Sequence, residues 1–195
     1  MSALAEIAIY ILQTVLSLYL IAVLLRFLLQ IVKADFYNPI SQFLVRATDP
    51  CLKPLRKIIP SFGSFDVAAL LLALAIQMLS IIFSIEIGNR TPPNIFLLLI
   101  WSLLGLASTL INFYFFALLL TIILSWIAPG SYNPIVALLH KMTEPVMTPF
   151  RRILPPLGGL DLSPILIFIT INILQIVLRH AAVSVGLPSG QLLGL

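Results

Sequence analysis

Long uncharged apolar runs alternate along this chain with short polar breaks, and the run lengths match a bilayer. Ile7 to Leu25 carries no charge and would make a helix of roughly 28 Å, close to the hydrocarbon thickness. Val67 to Ile85 does the same, and Leu162 to Leu178 is a third such run, with Pro164 tolerated in its first turn. Ile95 to Ala128 is different: as one helix it would reach about 51 Å, too long for a perpendicular span.

The polar breaks resolve that excess, because two of them are copies of one another. Tyr37 to Asp66 reads YNPISQFLVRATDPCLKPLRKIIPSFGSFD, and 95 positions later the chain reads YNPIVALLHKMTEPVMTPFRRILPPLGGLD without a gap. Tyr37, Asn38, Pro39, Ile40, Leu44, Thr48, Pro50, Pro54, Arg56, Ile58, Pro60, Gly63 and Asp66 recur unchanged, and Arg46, Asp49 and Lys57 become Lys141, Glu144 and Arg152. The chain is therefore a tandem duplication, with units at about 1–93 and 94–195. Carrying the first span across the offset predicts a span at Ser102 to Leu120, with Ile95 to Trp101 as an interfacial lead-in and Thr121 to Ala128 as the exit. Trp101 and Trp126 are then expected at opposite headgroup layers.

Within each copy, Asn38-Pro39 and Asn133-Pro134 give a capping residue followed by proline at the first helical position. A first short helix is expected to end near Thr48, and Asp49-Pro50 to start a second. Ile40, Phe43, Leu44 and Ala47 share one side of the first, and Leu52, Leu55 and Ile59 mark the second, with Lys53, Arg56 and Lys57 turned elsewhere. Such pieces are too short to span and suit the interfacial plane. Pro60 and the Ser61-Phe62-Gly63-Ser64 turn lead to Asp66, placed to cap the next helix. The expected fold is an all-α membrane protein: four transmembrane helices in two tandem two-span repeats, with short amphipathic interfacial helices between spans one and two and between three and four.

Composition agrees: 61% of residues are hydrophobic and 9% charged, and mean hydropathy is +1.13. The net charge of +4 does not require nucleic acid, because the basic residues flank apolar spans, where membrane-surface electrostatics accounts for them. Arg26, Lys33, Arg46, Lys53, Arg56, Lys57, Lys141, Arg151 and Arg152 lie on the side of the repeated stretches, and Arg90 and Arg179 on the other. The positive-inside rule puts the repeated stretches in the cytoplasm and both termini outside. Arg26 is expected to snorkel to the headgroups rather than act as a buried functional arginine, since its counterpart is Thr121. The N-terminus lacks a basic leader region and reads as a retained span. The single Cys51 excludes an intrachain disulfide or thiolate cluster and is expected to be buried or interfacial; its counterpart is Val146.

No acidic residue falls within a predicted span, which counts against a pump, and no catalytic motif, metal set or cofactor fingerprint is present. Ser17 aligns with Asn112 and Gln77 with Asn172, all near mid-span. They read first as interhelical hydrogen-bonding groups and second as a symmetric polar site at the bilayer midplane. Asn38, Lys53, Arg56, Lys57, Asn133, Arg151 and Arg152 are the candidate contacts to lipid or partner, because topology alone does not require these residues to recur in register.

The doubled pattern YNPI, T-(D/E)-P, P-x-R-(K/R)-I, P-x-x-G and D between apolar spans resembles the YggT family, also called YlmG-like, in its two-repeat bacterial form. That resemblance covers essentially the whole chain. It implies a small multi-pass protein of the bacterial inner membrane, with relatives in Gram-positive bacteria, cyanobacteria and plastids. It also implies associations with osmotic-shock tolerance and potassium uptake, cell-division gene neighbourhoods, plastid nucleoid distribution and cytochrome complex assembly. It carries over no catalytic residue. The expectation is a non-enzymatic membrane organiser that binds anionic membrane lipid and a protein partner through its cytoplasmic face. The alternative is transport in osmotic adaptation, for which a homo-oligomer would be needed to make room for a pore.

Overall fold

A computed structural model describes residues 3–87, 91, 93–127, 130, 133–154 and 161–187. The far turn expected at Gly88, Asn89, Arg90 and Pro92, the second copy's Tyr132, Pro155 and Gly158, Ala128, and the tail from 188 lie outside the described residues. The described residues form six helices: α1 Ala3–Ile31, α2 Pro39–Ile58, α3 Val67–Ile87, α4 Ile95–Ile127, α5 Pro134–Ile153 and α6 Ser163–Ser184. Helices α1, α3, α4 and α6 are long and apolar enough to cross a membrane. This is an all-α membrane fold, and it departs from the sequence reading in the length and continuity of its helices.

Helix α4 runs unbroken for 33 residues, so the lead-in and exit segments continue the span helix through Ile127. No proline or charge interrupts it, and leaving the hydrocarbon does not by itself break i to i−4 hydrogen bonding. Helix α1 likewise runs on to Ile31. It ends in a Schellman motif, with Ala34 N–H donating to Leu29 O (2.9 Å) and Lys33 N–H to Gln30 O (3.2 Å). Lys33 holds the left-handed position (φ 48°) that Gly186 (φ 69°) takes in the matching motif after α6.

The predicted breaks at Asp49 and Glu144 are absent: α2 and α5 are each single helices of 20 residues with two internal prolines. Asn38 and Asn133 cap them as expected, each accepting from the N–H two residues on at 2.9 Å. Internal proline costs about 3 kcal/mol through a missing N–H and a steric clash. The helix persists because its buried stripe, Ser41, Leu44, Thr48 and Leu52, continues in register across Pro50. Just before that proline Thr48 donates back to Leu44 O (2.6 Å), and Thr143 repeats the bond to Leu139 O (2.9 Å).

The buried stripe faces protein. Ile40 and Leu44 turn toward the core, whereas Phe43 and Ala47 are exposed, so the four do not share one face. Their sides follow from 100° per residue: Phe43, Ala47, Pro54 and Ile58 form an exposed apolar edge, and Arg46, Lys53 and Lys57 a polar one.

Helices α1, α2 and α3 pack as one unit and α4, α5 and α6 as the other, with α3 against α4 as the main seam. The seam is built from small side chains. Ala69, Ala73, Gln77 and Ser80 are buried on α3, and Ser102, Gly105, Ser108 and Thr109 on α4, whereas Ser84 accepts from Gln13 Nε2 of α1 at 2.7 Å. Ile81 and Ile85 cluster with Leu98 and Trp101, a register that brings Gln77 level with Gly105. In lipid, where apolar burial gives no net drive, such close backbone approach supplies the packing energy. Trp101 belongs to this interior rather than to an aromatic belt: it is 6% exposed and donates from Nε1 to Val185 O at 3.1 Å. Trp126 is exposed.

Replacing Gly105 with leucine should force α3 and α4 apart and cost about 1–3 kcal/mol of stability. The readout is a lowered melting temperature in detergent, while the exposed Leu103→Ala leaves it unchanged.

Candidate functional site

The charged residues gather where α2 and α5 meet the ends of the spans. Arg56, in the last turn of α2, pairs with Asp66 at the start of α3, with Nε at 3.1 Å from Asp66 Oδ2. The Phe62 to Phe65 turn makes this meeting possible: the two residues exchange backbone hydrogen bonds of 3.0 Å, with Gly63 at φ 61°. Asp66 is fully buried and also accepts from Ala69 N–H (3.2 Å), so it caps α3 as expected. The second copy repeats the bond 95 residues on, between Arg151 Nε and Asp161 Oδ2 at 2.9 Å. Asp161 also accepts from Ser163 N–H at 2.9 Å.

Around this duplicated pair the copies differ. In the first, Arg26 rises from α1 and donates from Nη1 to Val45 O (3.1 Å), Thr48 Oγ1 (2.7 Å) and Asp49 Oδ1 (2.7 Å). Arg26 does not snorkel; it is 7% exposed and neutralised by Asp49, because a charge this deep costs least with a partner in place. Lys53 takes the other oxygen of Asp49 at 2.8 Å. In the second copy Thr121 replaces Arg26, and Glu144, counterpart of Asp49, turns to Arg151 at 3.1 Å. One arginine therefore holds both carboxylates.

The carboxylates respond to these partners. The Asp49 pKa lies below its usual 3.8 because Lys53 hydrogen-bonds it, with Arg26 adding a hydrogen bond and charge against the opposing effect of burial. Burial pushes Asp161 up most, but hydrogen bonds from Ser163 and Arg151 and the charge of Arg151 together hold it low. Both aspartates stay ionised at neutral pH.

The candidate contact residues thus fall into distinct environments. Arg56 and Arg151 are ion-paired inward, Lys53 is paired but 73% exposed, and Lys57 and Arg152 are exposed. Asn38 caps α2 and also donates from Nδ2 to Pro134 O (2.8 Å), tying the two copies together. Asn133 caps α5. Nearby, Lys141 donates from Nζ to Lys33 O at 2.6 Å. The only cysteine, Cys51, is exposed on α2.

The midplane residues are not brought together. Ser17 donates to Thr14 O of its own helix (2.8 Å), and Asn172 is exposed and bonds Phe168 O (2.8 Å). Asn112 accepts from Gln175 Nε2 at 2.7 Å, linking α4 to α6 through a residue the sequence reading passed over. Gln77 is fully buried with neither amide atom partnered, and Ser80 Oγ beside it is also unpaired. From sequence alone Gln175 goes unmarked, and Arg26 and Asp49 read as a snorkelling cation and a helix start rather than as partners. Gln175 could have been found from the duplication, since its counterpart is the buried Ser80, but no repeat signal existed for Arg26.

The sequence matches the CCB3/YggT family twice, over residues 5–86 and 100–182. The chain belongs to the CCB3/YggT family. An uncharacterized protein of Pseudomonas aeruginosa is 52% identical over 183 residues, covering 93% of each chain. The protein named YggT in Escherichia coli K12 is 35% identical over 179 residues, covering 91% of this chain and 92% of its own. The YlmG homolog protein 2, chloroplastic, of Arabidopsis thaliana is 43% identical over 72 residues, 35% of this chain and 28% of that one. No solved structure matches.

Arg56→Gln strands the fully buried Asp66 and should cost about 3 kcal/mol, whereas Arg151→Gln leaves the 30% exposed Asp161 near solvent and should cost about 1 kcal/mol. Thermal unfolding of the two variants measures the difference. The double variant R56Q/D66N should recover most of the first loss.

Proposed function

We propose that this YggT-family protein is a non-enzymatic organiser of the inner membrane, whose cytoplasmic face binds anionic lipid and a protein partner. The observation that carries this reading is the arrangement of α2 and α5. Each is clamped to the following span by an arginine–aspartate pair, and each leaves exposed basic side chains, Arg46, Lys53 and Lys57 on α2 and Lys141 and Arg152 on α5. A helix anchored at both ends presents its outer edge at fixed depth, where apolar Phe43 and Ile58 enter the acyl boundary and basic groups meet headgroups.

This face lies inside the cell by the positive-inside rule, so Cys51 should resist impermeant maleimide in intact cells and react in inverted vesicles. The lipid role is tested with K57Q/R152Q, two exposed cations worth about 1 kcal/mol each at an anionic surface. The expected result is a folded, inserted protein with reduced recovery of phosphatidylglycerol and of its crosslinked partner. Unchanged recovery of both would sink the organiser reading.

Transport is the second reading, and Gln77 is what favours it, since a buried mid-span amide without a partner is the kind of group a polar solute would satisfy. As a structural residue it is a burden, so Gln77→Leu should be neutral or stabilise by about 1–2 kcal/mol without altering potassium flux in proteoliposomes. A wild-type flux that Q77L abolishes would put transport first.

A further inference from the structure

We propose that a cavity between α1 and α2 binds a phosphate oxyanion, either the phosphodiester headgroup of an anionic glycerophospholipid or free phosphate. The site deepens the lipid-binding reading of this face and rests on it. The cavity has a volume of about 280 Å³, and Arg26, Lys33, Ser41 and Arg56 line it together with apolar Phe36 and Val45. That volume suits a small headgroup rather than a large ligand.

The polar groups left over in the cavity are mainly donors. Arg26 uses only Nη1 among the described residues, so Nε and Nη2 are unengaged. Among the described residues Arg56 uses Nε and Nη2 and leaves Nη1. Gln30 spends its Oε1 on Arg56 at 3.3 Å and keeps its Nε2 hydrogens. Ser41 is 3% exposed and its Oγ has no partner, although an orphaned buried hydroxyl is costly. Lys33 stands exposed at the mouth. An occupant that supplies several acceptor oxygens and no donor satisfies this set, and phosphate does so through charge-assisted bonds.

Charge points the same way. Arg26 and Arg56 are balanced by Asp49 and Asp66, and Lys33 pairs with no carboxylate among the described residues. Asp49 is further shared with Lys53, so the cavity retains at least one surplus positive charge. A phosphodiester carries one negative charge and neutralises it.

The duplication supplies an internal control. The equivalent cavity of the second copy, about 540 Å³ and lined by Thr121, Ser125, His140 and Arg151, has lost the set. Arg26, Lys33 and Ser41 become Thr121, Ala128 and Val136. Arg151 engages all three of its nitrogens, with Asp161, Glu144 and the Met147 sulfur (3.9 Å). The anion site belongs to the first copy alone.

The test replaces cavity residues with those the second copy carries, as K33A/S41V, and compares wild type, this variant and K57Q/R152Q. Each is placed in phosphatidylcholine nanodiscs with and without phosphatidylglycerol. Native mass spectrometry reads retained phosphatidylglycerol, and thermal unfolding in pure phosphatidylcholine discs with added inorganic phosphate reads the soluble source. We expect K33A/S41V to lose phosphatidylglycerol retention roughly tenfold, while K57Q/R152Q loses part of its loosely held lipid and still retains one tightly bound molecule. Stabilisation of wild type by phosphate that K33A/S41V lacks would assign the same site to the free anion. The inference is overturned if K33A/S41V retains the lipid as wild type does and phosphate stabilises neither. Loss of lipid in K57Q/R152Q alone would leave the surface reading standing without the cavity. Should K33A/S41V fail to fold, K33A alone carries the comparison, because its side chain is exposed.

Discussion

An arginine at the end of an amphipathic helix, bonded to an aspartate at the start of a span, is the interaction on which this architecture turns. The aspartate has two duties in each copy: it accepts from a first-turn backbone N–H of the span, where a negative charge complements the helix dipole, and it receives the arginine of the preceding helix. That bond fixes the C-terminal ends of α2 and α5 against the spans that follow them. With it, the buried stripe of each amphipathic helix packs on protein while its other edges stay exposed.

The two copies keep this clamp and have diverged in what surrounds it. In the first, the added Arg26 takes Asp49, which leaves Arg56 with an unengaged nitrogen and opens a donor-lined cavity beside it. In the second, Arg151 binds both carboxylates with each of its nitrogens engaged, and the equivalent cavity is larger and lined by Met147, Trp126 and Phe168. The same frame thus yields a cationic pocket and a largely apolar one. Asn38 and Lys141 join the copies across their amphipathic helices, and the small-residue seam joins them through the spans. The seam has one costly feature, the unpartnered Gln77 amide, in a molecule whose other mid-span amides at Asn112, Asn172 and Gln175 are bonded.

Much of this fold was legible because membranes impose simple rules. Run length and the absence of charge sufficed to find four spans, since the bilayer excludes unpaired backbone and charged groups alike. The 95-residue offset revealed the duplication, and Asn-Pro located the starts of α2 and α5, because capping is local chemistry. Pro50 and Pro145 misled: proline's cost is local, whereas the register of the buried stripe that outweighs it becomes visible only when α1 and α3 are in place around α2, and α4 and α6 around α5.

The charged residues show the same division. Sequence by itself determined that Arg56, Asp66, Arg151 and Asp161 recur in register, and counting charges placed nine basic residues on one side. It could not say that Arg56 and Arg151 face inward, that Arg26 is buried against Asp49, or that Ser41 is stranded in a cavity between them. Those outcomes depend on how α2 crosses the end of α1, and a guanidinium near an interface takes whichever partner that crossing brings within reach. The pattern of charge along the chain is one-dimensional, but the cost of burying it is set by neighbours in three dimensions, and only the packed helices decide which charges are paid off internally and which remain for a ligand.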